Sequence, residues 1–373
     1  MSREDRVETA GPELCIVVPT FNERNNVPPL VHELSEVLSD IEWEIIFVDD
    51  DSKDGSSKVI RDIGCKRSRV RCIQRIDRRG LSSACVEGML GSCAPYLAVM
   101  DGDLQHDPRI IPTMLDLLKN TDAELVVGSR YMAGGSAGSW SKARALISRF
   151  ATLLGHAVVP GTLRDPMSGF FMLRRTLLDE VVHNLSRFGF KILLDIFASA
   201  RRPIVFREVP FVFRARHSGE SKLDSHVVWE YLMLLADKLV GRYVPVRFVA
   251  FATIGTLGVC LHLLIVTAAY RIVGTTFATA QMIGTALTMI FNYTLNNMLT
   301  YRDRRRHGLK WLTGLVSFLV ACSIGMVANI GVAVYLFNRQ SEWLLAAIAG
   351  VLTGAVWNYA VTSVYTWGRP DQS

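Results

Sequence analysis

A doubly wound α/β domain with a mostly parallel sheet, followed by a domain of four transmembrane helices, is the architecture this 373-residue sequence predicts. Three observations predict it. Short β-branched runs alternate with amphipathic stretches between residues 13 and 215, long uncharged segments fill the last third, and acid-rich or glycine-rich turns follow the apolar runs. Half of the residues are hydrophobic and 20% are charged, and mean hydropathy is +0.24. That balance excludes a disordered chain. The net charge of +6 does not collect with aromatics on one helix face, so no nucleic-acid partner is expected.

Taken in order, residues 14–18 are an apolar run ending at Pro19, and residues 43–48 are a second one ending in acids. Residues 96–100 and 125–128 repeat the form, each ahead of a polar or glycine-rich turn. Each reads as a strand. Between them, 26–38 and 108–119 carry apolar residues at helical spacing. Strands alternating with helices pair in parallel, and such sheets bind ligands beyond the carboxyl ends of their strands. Residues 143–159 and 227–240 are amphipathic but too short to span. The first sets Leu146, Ile147, Phe150, Leu153 and Leu154 against Arg144 and Arg149. The second sets Trp229, Leu232, Met233, Leu235 and Ala236 against Glu230, Asp237 and Lys238. Core-facing helices are one reading; the membrane segments that follow favour helices lying at the bilayer surface.

Residues 248–270, 276–301, 311–337 and 343–367 carry no formal charge, and each exceeds the roughly 20 residues a bilayer core requires. The loop after the second holds Arg302, Arg304, Arg305, Arg306 and Lys310 against Asp303 alone, which predicts that this loop and both termini are cytoplasmic. The polar first residues contain no apolar run, so no cleaved signal segment is expected. The seven cysteines are scattered, with no C-x-x-C pair, as reduced cytosolic thiols would be. The expected domains are 1–224, soluble; 225–245, an interfacial helix and linker; and 246–373, membrane-embedded.

Three motifs carry chemistry. Residues 16–25, I-V-V-P-T-F-N-E-R-N, read as a strand running into a polar turn and then a helix. Residues 43–56, W-E-I-I-F-V-D-D-D-S-K-D-G-S, end a strand in three acids, which either accept hydrogen bonds from a ribose or base or cap the following helix. Residues 100–108, M-D-G-D-L-Q-H-D-P, place two carboxylates one residue apart on a tight turn. That is a hard oxygen site for Mg²⁺ or Mn²⁺ shared with diphosphate oxygens. His106 reads as a loop or supporting residue rather than a ligand, and His262 as a helix–helix hydrogen bond.

Together with V-G-S-R-Y at 127–131, D-P-M-S-G-F-F at 165–171, G-F-K-I-L-L-D at 189–195 and F-R-A-R-H-S-G-E-S-K-L at 213–223, these residues resemble inverting glycosyltransferase family 2. Within it they resemble the dolichol- or polyprenol-phosphate mannose synthases. Residues 291–301, F-N-Y-T-L-N-N-M-L-T-Y, resemble the GtrA-like membrane domain. The resemblance implies a nucleotide-diphosphosugar transferase (GT-A) fold, and mannose transfer from GDP-mannose to dolichyl or polyprenyl phosphate at the cytoplasmic membrane face. It implies that Pro19, Phe21, Glu23, Asp49 and Asp50 line the nucleoside pocket, and that Asp101, Asp103 and Gln105 hold the metal and diphosphate. Arg130, Arg144 and Ser148 would seat the acceptor phosphate, and Arg216 and Lys222 would close over the donor. Phe21 in place of the commoner Tyr, Gly102 in place of Ala and Ser82 in place of Gly depart from the family pattern without removing a charged ligand.

Two alternatives remain beside this reading. One is a glucosyltransferase using UDP-glucose; the other is a lipid-sugar flippase with a secondary transferase. A processive polysaccharide synthase is disfavoured, because Q-x-x-R-W is missing and no E-D pair follows Arg130. A phosphate acceptor is already an anionic nucleophile and requires no general base.

Overall fold

The computed structural model describes residues 11–136, 154–156, 158–186, 191–214, 225–241, 243–339 and 343–368. Their contacts divide them into two compact units, one ending at Leu239 and the other beginning at Val240.

The first unit is a seven-stranded sheet with helices on both faces. Its strands are β1 (Leu14–Thr20), β2 (Trp43–Asp49), β3 (Val70–Gln74), β4 (Tyr96–Val99), β5 (Leu125–Ser129), β6 (Phe171–Arg174) and β7 (Phe206–Pro210). Among the described residues its helices are α1 (Val27–Val37), α2 (Ser56–Gly64), α3 (Leu81–Leu90), α4 (Ile111–Asn120), α5 (Arg175–Val181), α6 (Ile192–Ser199) and α7 (Ser225–Val240). The strand order is β3-β2-β1-β4-β6-β5-β7, and β6 runs antiparallel to both β4 and β5 while the other pairs are parallel. This is the mixed, mostly parallel sheet expected of a GT-A domain.

Successive residues of the central strands feed opposite layers, as the period-2 pleat dictates. Leu14, Ile16 and Val18 of β1 pack with α1, whereas Cys15 and Val17 face α3. The expected strands 14–18, 43–48, 96–100 and 125–128 appear as β1, β2, β4 and β5. The edge strands β3 and β7 are only partly buried and carry Arg71, Gln74, Arg207 and Glu208, so their apolar signal is weak.

One expectation about side-chain placement is corrected. Tyr231, Leu234 and Leu235 bury the inner face of α7 against Leu193, Ile196 and Phe197 of α6. Lys238, assigned to the wet face from its charge, is only 9% exposed because it reaches a buried carboxylate. Leu232 and Leu239, seven residues apart on another face, are exposed. The first amphipathic stretch, 143–159, lies mostly outside the described residues.

The second unit contains α8 (Val246–Thr267), α9 (Phe277–Leu295), α10 (Leu309–Asn338) and α11 (Trp343–Val361). A turn of π-helix extends α8 to Ile272, α9 to Thr300 and α11 to Thr366. Helix α8 packs along α9, and α10 along α11. Among the described residues, Val246–Ile272 and Leu309–Leu336 are long and apolar enough to cross a membrane. His262 Nε2 lies 2.9 Å from Gln281 Oε1, joining α8 to α9. Phe251 of α8 meets Tyr359 of α11 at 5.8 Å, and Phe318 of α10 meets Tyr293 of α9 at 5.6 Å. Tyr301 and Trp367 stack at 4.1 Å.

Candidate active site

Strand β1 pairs with β2 on one side and β4 on the other, so the chain winds away from it in both directions. That reversal opens a crevice at the carboxyl ends. Among the described residues, four that are not glycine have positive φ: Asn22, Asp51, Asp77 and Leu104. They follow β1, β2, β3 and β4 in turn. Such backbone is costly away from glycine and concentrates at functional sites.

The turns after β1 and β2 are laced together. Asn22 N–H donates to Ser52 Oγ, Glu23 N–H to Ser56 Oγ and Arg24 N–H to Asp54. Hydrogen bonds from Ser56 and Arg24 hold the Asp54 carboxyl below its usual range despite desolvation. Of the residues expected at the nucleoside, Pro19 lies in β1 and Phe21 just beyond it, with the Arg79 guanidinium 4.4 Å over the Phe21 ring. Glu23 accepts from Asn26 Nδ2. Asp49, fully buried, accepts from the Ser52 N–H and hydroxyl. Asp50 accepts from Arg75 Nε at 2.7 Å and from the Gly80 N–H. Both carboxylates brace the loops around the crevice.

Asp101 and Asp103 follow β4. Asp101 N–H donates to Nδ1 of His106, which fixes that nitrogen as an acceptor. The His106 ring stacks on Phe170 at 5.0 Å and meets Phe211 and Phe213 edge-on. Burial pushes its pKa down, so the ring is a neutral support for the acid turn, as the supporting role predicts. The Asp101 side chain keeps 38% of its surface open at the mouth of the crevice. Desolvation raises its pKa; His106 opposes this and Asp103 adds to it. A divalent cation bound there would relieve both penalties. Among the described residues no group of three or more His, Cys, Asp or Glu gathers to hold a metal. Two carboxylates are nevertheless the protein's usual share of a Mg²⁺ shell that substrate phosphates complete, so the donor set fits. Gln105 faces the same turn, its Nε2 donating to Arg214 O and its O accepting from Arg214 N–H.

The antiparallel strand β6 starts where its neighbours end, which brings residues 165–170 to the same edge. There Asp165, fully buried, accepts from Arg130 Nε at 2.8 Å, Arg130 Nη2 at 2.7 Å and the Arg130 N–H. Desolvation lowers the Arg130 pKa and Asp165 more than reverses it, so the net shift is upward. A Cβ on Gly169 would stand 3.2 Å from Asp101 Oδ2, so this loop passes directly over the acid turn. The structure thus gathers Asp101, Asp103, Gln105 and Arg130 on one edge. Arg144, Ser148, Arg216 and Lys222 lie outside the described residues, although Arg214, bonded to Gln105, is the last described residue before the segment holding the latter two.

Sequence reasoning assigned no role to Asp165, Arg75 or Arg214. Arg214 bridges Glu33 and Asp107 at 2.7 Å each. Asp165 lies in a quoted motif, and that was its only signal; Arg75 had none.

A profile described as Glycosyl transferase family 2 matches residues 15–182, and one described as GtrA/DPMS, transmembrane domain, matches 250–367. The dolichol-phosphate mannosyltransferase of Pyrococcus furiosus is 31% identical over 357 residues, covering 95% of this chain and 99% of the relative. Its namesake from Mycosarcoma maydis is 37% identical, covering 65% of this chain and 84% of the relative. Among solved structures, glucosyl-3-phosphoglycerate synthase from Mycobacterium tuberculosis, in complex with Mn²⁺, UDP-glucose and phosphoglyceric acid, is 16% identical with a TM-score of 0.48. It covers 61% of this chain and 80% of that one. With two profiles matching in series and a relative aligned nearly end to end, the chain belongs to glycosyl transferase family 2, in the branch that joins its transferase domain to a GtrA/DPMS transmembrane domain.

Proposed function

We propose that the protein transfers mannose from GDP-mannose to dolichyl or polyprenyl phosphate, with inversion, at the cytoplasmic membrane face. The observation that supports it best is the near end-to-end similarity to a dolichol-phosphate mannosyltransferase, across both units. Pro19, Phe21 and Glu23 border the nucleoside, with Asp49 and Asp50 shaping its pocket. Asp101, Asp103 and Gln105 would hold Mg²⁺ or Mn²⁺, which when bound neutralises the charge of the departing diphosphate. Arg130, held by Asp165, takes the lipid phosphate together with Arg144 and Ser148, since guanidinium pairs phosphate bidentately. An oxygen of that phosphate attacks the anomeric carbon from the face opposite the diphosphate. The new C–O bond forms as the bond to the leaving nucleoside diphosphate breaks, and the configuration inverts. Arg216 and Lys222 close over the donor.

The membrane reading is four spans, with the domains divided as 1–224, 225–245 and 246–373. Each long apolar helix, α8 and α10, has a partner packed along it after a short connection, so each pair would cross and return. The basic loop 302–310 then lies on the cytoplasmic side with both termini. The exposed stripe of Leu232 and Leu239 on α7 lies at the headgroups.

The test is a donor screen with radiolabelled nucleotide sugars and polyprenyl phosphate. Mannose from GDP-mannose should enter the lipid fraction. Label entering only from UDP-glucose, or no transfer from any donor, would overturn the assignment.

A further inference from the structure

Beside its apolar inner face, helix α7 reaches the transferase core through a buried charge. Lys238 Nζ lies 2.6 Å from Asp195 Oδ1, on α6, and also donates to Ser199 Oγ at 2.8 Å and Asn184 O at 3.0 Å. Asp195 is fully buried, and it accepts further from the Ser186 N–H, the Ser186 hydroxyl and the Ser199 hydroxyl. An ion pair this enclosed adds little net stability over an apolar contact, but it tolerates only one register between the helices it joins. Leucines sliding over leucines carry no such restriction.

The other end of α6 leads to the site. Lys191, the residue before its first turn, donates to Met167 O. Met167 belongs to the 165–170 loop, which holds Arg130 through Asp165, is pinned to Gly128 O by Ser168 Oγ at 2.7 Å, and passes over Asp101 at Gly169. One continuous path of bonded groups therefore runs from α7 to Arg130, and it passes over the acid turn at Gly169.

We propose that Lys238 and Asp195 are positioning residues, which lock the helix at the membrane surface to α6 and so set where a bilayer-borne acceptor phosphate meets the site. This rests on the proposed transfer to a lipid phosphate and on α7 lying at the headgroups. An acceptor free in solution can diffuse into the site at any height. One whose tail is held in a bilayer arrives only at the height that the lock allows.

The experiment uses the full chain in proteoliposomes with long polyprenyl phosphate, and in parallel a short water-soluble prenyl phosphate. Lys238→Met should raise KM for the long acceptor at least tenfold, change turnover on the short one less than twofold, and leave nucleotide affinity unchanged. Lys238→Arg, which keeps the charge, should restore bilayer KM. Lys238→Met combined with Asp195→Asn removes both charges; it should recover thermal stability without recovering bilayer KM. Equal losses on both acceptors, bilayer KM recovered by the neutral pair, or a folded Lys238→Met with unchanged KM would each overturn the lock while leaving the transferase reading intact. A folded wild-type protein inactive on both acceptors would overturn that reading and the lock with it.

Discussion

Asp165 is fully buried, and it orients the Arg130 guanidinium beside the crevice. Replacing it with Asn leaves Arg130 buried without its counter-charge, a loss on the order of 3–5 kcal/mol. The melting temperature of Asp165→Asn should fall, and KM for the acceptor should rise more than the Kd of the nucleotide does; the reverse ranking would place Arg130 on the donor. Asp103→Ala should lower turnover at least about a hundredfold, the scale of removing a group that stabilises developing charge, while leaving the fold intact. Chelation should do the same and added Mg²⁺ or Mn²⁺ should restore activity, so full turnover in chelator would reject the cation site. A pH effect belongs to Glu124, whose carboxyl is held below its ordinary value by Arg202. A depressed folded pKa contributes stability above the unfolded value near 4.5 and loses it as pH falls through the folded one. The acid limb of a melting curve against pH should flatten in Arg202→Ala.

Helices and strands were legible where a local pattern forces them. The D-x-D turn sits at the end of an apolar strand, and its place beside β1 follows from parallel winding. Pairings such as Asp50 with Arg75, or Asp165 with Arg130, join residues 25 and 35 positions apart in irregular backbone. No periodicity encodes them. Lys238 misled for a specific reason: amphipathic reading assigns every lysine to water, and a buried partner on another element reverses the assignment. Helix α3 shows a further contact invisible to pattern. Its Gly88 lies against Val17 and Val48, and an added Cβ would overlap the first and stand 2.9 Å from the second. Gly88→Ala should push α3 off the sheet at a cost of about 1–3 kcal/mol. A denaturation midpoint unchanged from wild type would show that the two layers can part freely.

At the scale of the whole molecule, the role proposed for the membrane unit is to hold the transferase where its acceptor is. Truncation after Val240 should preserve the first unit's fold and its nucleotide binding, and lower turnover on bilayer lipid far more than on a short prenyl phosphate. Unchanged bilayer turnover would reject anchoring and favour lipid movement as the role of the helices. The aromatic contacts between its helix pairs imply something about how that unit is made. Phe251 touches Tyr359, and Phe318 touches Tyr293. These are counterparts, since N-Y ends both α9 (Asn292, Tyr293) and α11 (Asn358, Tyr359), and Phe251 and Phe318 each precede a glycine by seven residues. Those glycines, Gly258 and Gly325, lie against the side chains of Asn292 and Asn358, whose Oδ1 atoms find no hydrogen-bond partner among the described residues. Tyr301 and Trp367, stacked on one another, occupy matching places eight residues after each tyrosine. Such reciprocity, in which the first half touches the second as the second touches the first, is the signature of a two-fold isologous pair. The two helix pairs are thus matching copies of one hairpin pattern, α8 answering to α10 and α9 to α11. Gly258→Ala and Gly325→Ala should therefore cause losses of similar size in detergent melts, because each places a methyl group against the same amide in its own copy.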